Sequence, residues 1–258
     1  MKTVFLGIIQ GVSEILPISS SVNLYFFSHF FRIDTFSFSL KIALHIGSLF
    51  GILLFFRKEM REILRGIFFK KNISDSYFWP LVFGTIPVVI LGFTARNFVR
   101  EFNSPKIMGI LSITFGILLV VFDKASSTTK GRDRKPISIF KSFIIGCFQS
   151  ISIFPGISRL GICITASRML GLDRNRAIRF SMLLAIPSIL GSLVLELVES
   201  HSKYQGFPLI SKEYLLGTLT TMIIGLIAIW PCIKYMEKNG FVLLMIYRII
   251  IGLTICFV

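Results

Sequence analysis

Acidic residues are scarce in this chain. Its 258 residues include 13 Asp and Glu against 28 Lys and Arg, a net charge of +15, and charged residues of both signs make up only 16%. A soluble globular chain carries about 25% charged residues and about 45–50% apolar ones. Here 53% are hydrophobic, 27 of them Phe, and the mean hydropathy is +0.78. Cysteine is sparse as well: Cys147, Cys163, Cys232 and Cys256 show neither metal-type spacing nor paired loop positions. That argues against a zinc module and a disulfide scaffold, and leaves them as packing residues. The excess of positive charge does not indicate nucleic acid. Lys and Arg gather in short segments between apolar stretches, which is the positive-inside pattern of a membrane protein.

What the chain does have is apolar runs of about 17–20 residues, the length of a bilayer-crossing helix. Six segments fit: 40–56, 78–98, 106–123, 180–198, 213–231 and 241–258. Two more stretches, 1–31 and 142–172, are apolar but interrupted, with Pro17 and Pro155 at the breaks. Proline is costly inside a helix, so each reads as helix, turn, helix. The N-terminus is not a signal peptide, because Gln10 and Glu14 interrupt its apolar region.

Charge then sets orientation. The basic loops 57–72 and 123–141 are separated by two spans, so they share a side, and the rule makes that side cytoplasmic. The basic segments 168–179 and 234–240 join them, while 199–213 is near neutral, as an external loop should be. With 57–72 inside, stretch 1–31 begins and ends outside, and 142–172 begins and ends inside. Both are expected to be re-entrant, from opposite faces. GIIQGVSEILPIS (7–19) and GCFQSISIFPGIS (146–158) align without gaps, matching Gly7 with Gly146, Gln10 with Gln149 and Ser19 with Ser158. A second echo pairs TIPVVILG (85–92) with AIPSILG (185–191). The expected fold is an all-α polytopic membrane protein with six transmembrane helices and two re-entrant segments, built as an inverted-topology repeat. Such folds form sites near the midplane from broken helices. It is one integral membrane domain, 1–258, with halves 1–123 and 142–258 joined by the basic loop 123–141.

Ionisable groups in a bilayer are functional candidates by default. Glu14 is the only acid in the first 33 residues, and Gln10 lies four residues before it, on the same helical face. Such a pair can bind a divalent cation, orient a water, take a proton, or simply hydrogen-bond between helices. Arg159 is the only charged residue between Lys141 and Arg168. It follows the break in FPGISRLG, where Ser158 is placed to cap the next helix. Free N–H groups at a helix start, with a guanidinium beside them, suit a phosphate or diphosphate; a structural pairing of Arg159 with Glu14 is the alternative. PISSS (17–21) makes the same kind of turn in the other repeat. If the two tips meet, Gln10, Glu14 and Ser20 come together with Ser158 and Arg159. An acid, a positive clamp and a hydroxyl suit phosphoryl transfer on an anionic, phosphorylated lipid.

These residues carry a resemblance. QGVSEILPISSS resembles the (E/Q)xxxE signature and PISS turn of the bacterial undecaprenyl-diphosphatase (bacitracin-resistance) family. FPGISRLG is similar to its PGxSRS motif, and 83–92 and 179–191 are similar to further family stretches, so the likeness runs along nearly the whole chain. The resemblance implies hydrolysis of undecaprenyl diphosphate to undecaprenyl phosphate, the carrier lipid of cell-wall synthesis, at the bacterial inner (cytoplasmic) membrane. It also implies dependence on a divalent metal, Mg2+ or Ca2+, and homodimer formation; no nucleic-acid partner is expected. By position, Gln10, Glu14, Ser20, Ser158 and Arg159 fill the catalytic motif, with Glu14 at the metal and Ser158 at the proposed nucleophile position. Ser19, Ser21, Asn23, His45 and Gly156 are the expected substrate-binding residues. Three positions depart from the family pattern: Asn23 stands where a histidine is usual, Leu160 replaces a serine and Cys163 a threonine. Asn23 cannot serve as a base, which leaves Glu14 or another histidine, His45 or His29. The rival reading is a transporter or substrate-binding relative that has lost hydrolysis.

Overall fold

A computed structural model describes residues 1–33, 38–69, 77–126, 137–203 and 211–257, and among them every regular element is helical. The elements are α1 (Lys2–Ser13), α2 (Ser20–Phe30), α3 (Phe38–Phe55), α4 (Arg57–Phe69), α5 (Phe78–Thr94), α6 (Arg96–Glu101), α7 (Pro105–Ala125), α8 (Ile139–Ser150), α9 (Arg159–Met169), α10 (Arg174–Lys203), α11 (Lys212–Asn239) and α12 (Val242–Cys256). Residues 127–136 of the basic 123–141 loop and 204–210 of 199–213 lie outside the described residues.

Three helices, α7, α10 and α11, are each long and apolar enough to cross a bilayer, and α3 with α4 makes a fourth candidate bent by 75°. At 1.5 Å per residue, the 21 residues of α7 reach about 31 Å, close to a hydrocarbon core of about 30 Å. Helices α5 and α12 are apolar but shorter, at 17 and 15 residues. Large apolar side chains such as Phe93, Val198, Ile227, Leu243 and Ile250 point outward. An exterior of this kind belongs in lipid, so the protein is a multi-pass membrane protein. The segment 57–72, read from its charge as a loop, is instead helical through Phe69. Its Ile63 is buried and Met60 packs on the core while Arg57, Arg61 and Glu62 are turned out, the one-sided pattern of a helix lying along an interface.

Both interrupted stretches are helical hairpins. α1 and α2 have 12 and 11 residues, α8 and α9 have 12 and 11, so each helix covers about 18 Å, roughly half a bilayer. The hairpins are held in the same way. α1 packs on α11, and α8 packs on α5. In both cases a glycine lets two backbones touch. A Cβ at Gly7 would lie 3.1 Å from the Gly217 carbonyl oxygen, and one at Gly146 only 2.3 Å from that of Gly84. Hydroxyls reinforce the contacts: Thr221 donates to the Gly7 carbonyl, and Ser142 to that of Pro80. Two further sets of pairings, α3 with α11 and α10 with α5, α2 with α12 and α9 with α7, follow the same exchange.

The basic segments meet at one end of the molecule. Asp123 is bound by Arg168 at 2.9 Å and by Arg174 at 2.7 Å, and Arg168 also donates to the Asp123 and Leu172 carbonyls. Glu59 of α4 pairs with Arg179. Asn175 donates to the Glu237 carboxylate, and Lys141 to the Leu170 carbonyl. The segments 57–72, 168–179 and 234–240, which the charge rule put on one side, are thus in contact through 168–179.

Candidate active site

Each break is made by local chemistry. In the first, α1 ends at Ser13 and the chain turns through Glu14–Ile18 into α2. Ser19, the residue before α2, has φ of 66° and makes no side-chain cap bond. In the second, α8 passes into a short 3-10 turn (Ile151–Ile153), and Gly156 takes φ of 102°, a conformation open to glycine. Ser158 then caps α9, its Oγ accepting from the Gly161 N–H at 3.1 Å. That is the cap expected from the sequence, and it leaves the Ser158 hydroxyl proton free to be donated.

The two tips touch. The Gly156 N–H points to Ser21 Oγ at 3.5 Å, and a Cβ at Gly161 would lie 3.4 Å from that of Pro17. Between the tips lies a cavity of about 1610 Å³. Glu14, Ser19, Ser20, Ser21, His45, Ser158 and Arg159 line it, together with Ser13, Ser152 and Ser188. One flank is apolar, with Val88 and Val89 of α5 and Val194 and Leu195 of α10. His29, Arg32, Lys41 and Glu196 add polar groups to the wall, with Lys41 bonded to Glu196 at 3.2 Å.

Within the site, Gln10 is fully buried and donates from Nε2 to Glu14 Oε2 at 3.1 Å and to Ser48 Oγ at 3.3 Å. Among the described residues its Oε1 has no hydrogen-bond partner, and neither has Ser13 Oγ. Ser20 hydrogen-bonds the Glu14 carboxylate, and the Arg159 guanidinium and the His45 ring lie near it. Arg159 and Glu14 do not form an ion pair: the Arg159 guanidinium donates to Ser188 Oγ at 3.4 Å instead. The clamp is therefore held beside the acid without being neutralised by direct contact. His45 bonds through Nδ1 to the Lys41 carbonyl at 2.8 Å. A carbonyl only accepts, so Nδ1 carries the hydrogen and Nε2 of the neutral ring keeps its lone pair.

Three predicted residues do not line the cavity: Gln10, buried behind Glu14, Asn23 and Gly156. Asn23 is buried, with Nδ2 donating to the Ile18 and Ser19 carbonyls and Oδ1 accepting from the Tyr247 hydroxyl. It ties the first break together where a histidine is usual. Gly156 offers its carbonyl to Arg248. Sequence reasoning missed Arg248 altogether, although an arginine in the middle of an apolar span is the same signal that singles out Glu14 and Arg159.

A multi-pass helical protein that brings an acid, an arginine and a capped helix start into one cavity has the chemistry to receive a phosphorylated group. The chain belongs to the bacitracin resistance protein BacA family, whose model matches residues 3–254. It is 31% identical over 254 residues to the undecaprenyl-diphosphatase of Desulforudis audaxviator, covering 98% of this chain and 95% of that protein. It is 33% identical over 256 residues to the enzyme of the same name from Pelotomaculum thermopropionicum, with 98% and 94% covered. Undecaprenyl-diphosphatase 4 of Bacillus cereus is 35% identical over 243 residues, with 93% and 90% covered.

Proposed function

We propose that the protein is an undecaprenyl-diphosphate phosphatase of the bacterial inner membrane, releasing inorganic phosphate and undecaprenyl phosphate and so recycling the carrier lipid for cell-wall synthesis. The observation that carries this is the meeting of two broken hairpins, one bringing Glu14 and the other Ser158 and Arg159, in one cavity of a chain matched along its length by phosphatases. The transporter reading lacks such support from the relatives.

The architecture proposed is six spans, α3, α5, α7, α10, α11 and α12, with the two hairpins re-entrant from opposite faces in a single domain of two inverted halves. The half-bilayer length of the hairpin helices and the exchange symmetry of the packing support it. The end that gathers Arg168, Arg174, Lys141 and α4 is the cytoplasmic one.

The terminal phosphate is received by the Arg159 guanidinium and the free N–H groups of the first turn of α9, both aimed where negative charge grows. Where water is the nucleophile, Ser158 donates a hydrogen bond there from its hydroxyl. A hydroxyl oxygen, from Ser158 or water, forms the new bond to the terminal phosphorus, and the bond to the bridging oxygen breaks, leaving undecaprenyl phosphate. Glu14 or His45 Nε2 takes the hydroxyl proton. If Ser158 attacks, water then releases the phosphate. The apolar flank between α5 and α10 suits the start of a lipid tail.

A divalent cation fits the oxygens present. Glu14 supplies a carboxylate, Gln10 Oε1 is an oxygen without a donor among the described residues, and the hydroxyls of Ser13 and Ser20 lie near by in sequence. Among the described residues no group of three or more His, Cys, Asp or Glu gathers, which suits magnesium or calcium completed by substrate oxygens rather than a protein cage. Glu14 and Gln10 would hold it, and it would supply charge neutralisation on the phosphate oxygens.

Purified protein given undecaprenyl diphosphate and magnesium should release phosphate, and the release should disappear in Glu14→Ala and Arg159→Ala. Binding without release in the parent protein would sink the enzyme reading. In the same assay, loss in Ser158→Ala as severe as in Arg159→Ala marks the serine as nucleophile, whereas activity within about tenfold of the parent marks water.

A further inference from the structure

Arg168 and Arg248 are both fully buried and the proposed chemistry uses neither, but Arg168 is paired with Asp123 and Arg248 is not. Arg248 sits in the middle of α12 with 1% of its surface exposed. Among the described residues no carboxylate lies within ion-pair distance of it. Its partners are instead neutral: Nη1 donates to the Pro17 carbonyl at 3.1 Å, Nη2 to the Gly156 carbonyl at 3.3 Å and Nε toward Ser112 Oγ at 3.4 Å. A buried guanidinium without a counter-ion is costly, so this arrangement calls for a reason.

The two carbonyls supply it. Pro17 lies in the first break and Gly156 in the second, and each carbonyl belongs to a chain that has just left a helix. Carbonyls there lack intrahelical partners and must be satisfied from elsewhere. Arg248 satisfies one from each hairpin with the two arms of a single rigid fork. The planar guanidinium fixes how far apart its two arms can reach, so the fork fixes the spacing of the two breaks. Glu14 is three residues before Pro17, and Ser158 and Arg159 are two and three residues after Gly156. The fork also lies under the first turn of α9, since a Cβ at Gly161 would be 3.3 Å from Arg248 Nη1. We infer that Arg248 is a positioning residue that bolts the two halves of the active site together, setting the distance between the acid on one hairpin and the phosphate cradle on the other. Its uncompensated positive charge, beneath the helix start, further favours an anionic ligand there. This rests on the phosphatase reading of the cavity.

Two substitutions test it. Arg248→Lys keeps the charge and gives up the fork. Gly116→Ala leaves Arg248 intact and pushes on it, because the added Cβ would sit 3.2 Å from Arg248 Cδ and 3.3 Å from Nε. Alanine is also the better helix former inside α7. Misplacement of a catalytic group by about 1 Å can cost about 100-fold. The expected result is a fall in kcat of about 10- to 100-fold for Arg248→Lys and about 3- to 10-fold for Gly116→Ala. KM should stay within about threefold, because Arg159 still binds the phosphate. The unfolding temperature of Gly116→Ala should stay close to the parent's. Hydrogen exchange of residues 14–21 and 151–158 should rise together in Arg248→Lys. A kcat near the parent's in both variants would overturn the inference while leaving the phosphatase reading intact. A parent protein that releases no phosphate would remove the phosphatase reading. The exchange measurement then decides the bolt alone, and unchanged exchange in either hairpin overturns it.

Discussion

The two hairpins have the same length, the same packing and aligned sequences, yet they bring opposite chemistry to the cavity. The first holds a carboxylate, Glu14, kept in place by Gln10 and Ser20. It ends in an uncapped helix whose start is marked by a strained Ser19. The second holds no acid. It ends in a capped helix, with Ser158 closing the first turn and Arg159 beside it. The two hairpins share a scaffold, the glycine contacts and the buried Gln10 and Gln149, and differ at the tip. On the proposed reading, one tip is the oxygen-rich side that takes a cation and a proton, and the other is the cradle for an anion. Catalysis of phosphoryl transfer needs both.

The division of labour is most exposed to mutation at its two charges. Arg159→Ala should cut kcat/KM by about 100- to 1,000-fold and weaken binding of the diphosphate lipid, since it removes a donor aimed at the phosphate. Glu14→Gln should remove turnover while binding measured without added metal stays level or tightens, because a negative charge next to a diphosphate is gone. Direct binding of undecaprenyl diphosphate, measured beside phosphate release, separates the two. Equal weakening of binding in both variants would mean the tips do not differ in the way described.

The scaffold can be broken as well, and here the hairpins differ in degree. Gly146→Ala puts a Cβ 2.3 Å from a carbonyl oxygen of a neighbouring helix, which has no flexible end to move. The expected loss is about 2–3 kcal/mol, in the range of overpacked cores. Gly7→Ala meets Thr220 Cβ at 3.0 Å and the Gly217 carbonyl at 3.1 Å. Expected there is a loss of about 1 kcal/mol. Unfolding in detergent would measure both, and equal losses would make the two contacts equivalent.

Much of this was legible because a bilayer punishes misplaced polarity. Glu14 and Arg159 stand out in sequence for that reason, and proline with glycine marks the breaks between half-length helices. The apolar segments became helices at nearly the expected positions. The segment 57–72 was misread because charge density signals a loop or an interfacial helix equally well, and only the burial of Ile63 distinguishes them. The roles of Asn23 and Arg248 were opaque for a different cause. What each residue does depends on backbone carbonyls at the breaks, Ile18 and Ser19 for one, Pro17 and Gly156 for the other. A carbonyl left over by a broken helix has no sequence signature, since every residue carries one.

The smallest contrast is between the residues that start the second helix of each hairpin. Ser158 accepts a hydrogen bond from the Gly161 N–H, so Ser158→Ala should cost about 1 kcal/mol of stability, the usual loss of a cap. Ser19 occupies the matching position but caps nothing, and its φ of 66° is one that a Cβ disfavours. Ser19→Gly therefore relieves strain. It also gives up the Ser19–Ser21 hydroxyl contact at 3.1 Å and frees the unfolded chain, which offset part of the gain. The expected net is about 0.5 kcal/mol of added stability, opposite in sign to the change at Ser158. The sign is what matters. If Ser19→Gly destabilises as much as Ser158→Ala, Ser19 holds its turn in place as an ordinary structural serine. If it stabilises, the protein carries strain at the tip that bears Glu14 and none at the tip that binds phosphate, which is where strain kept for function would sit.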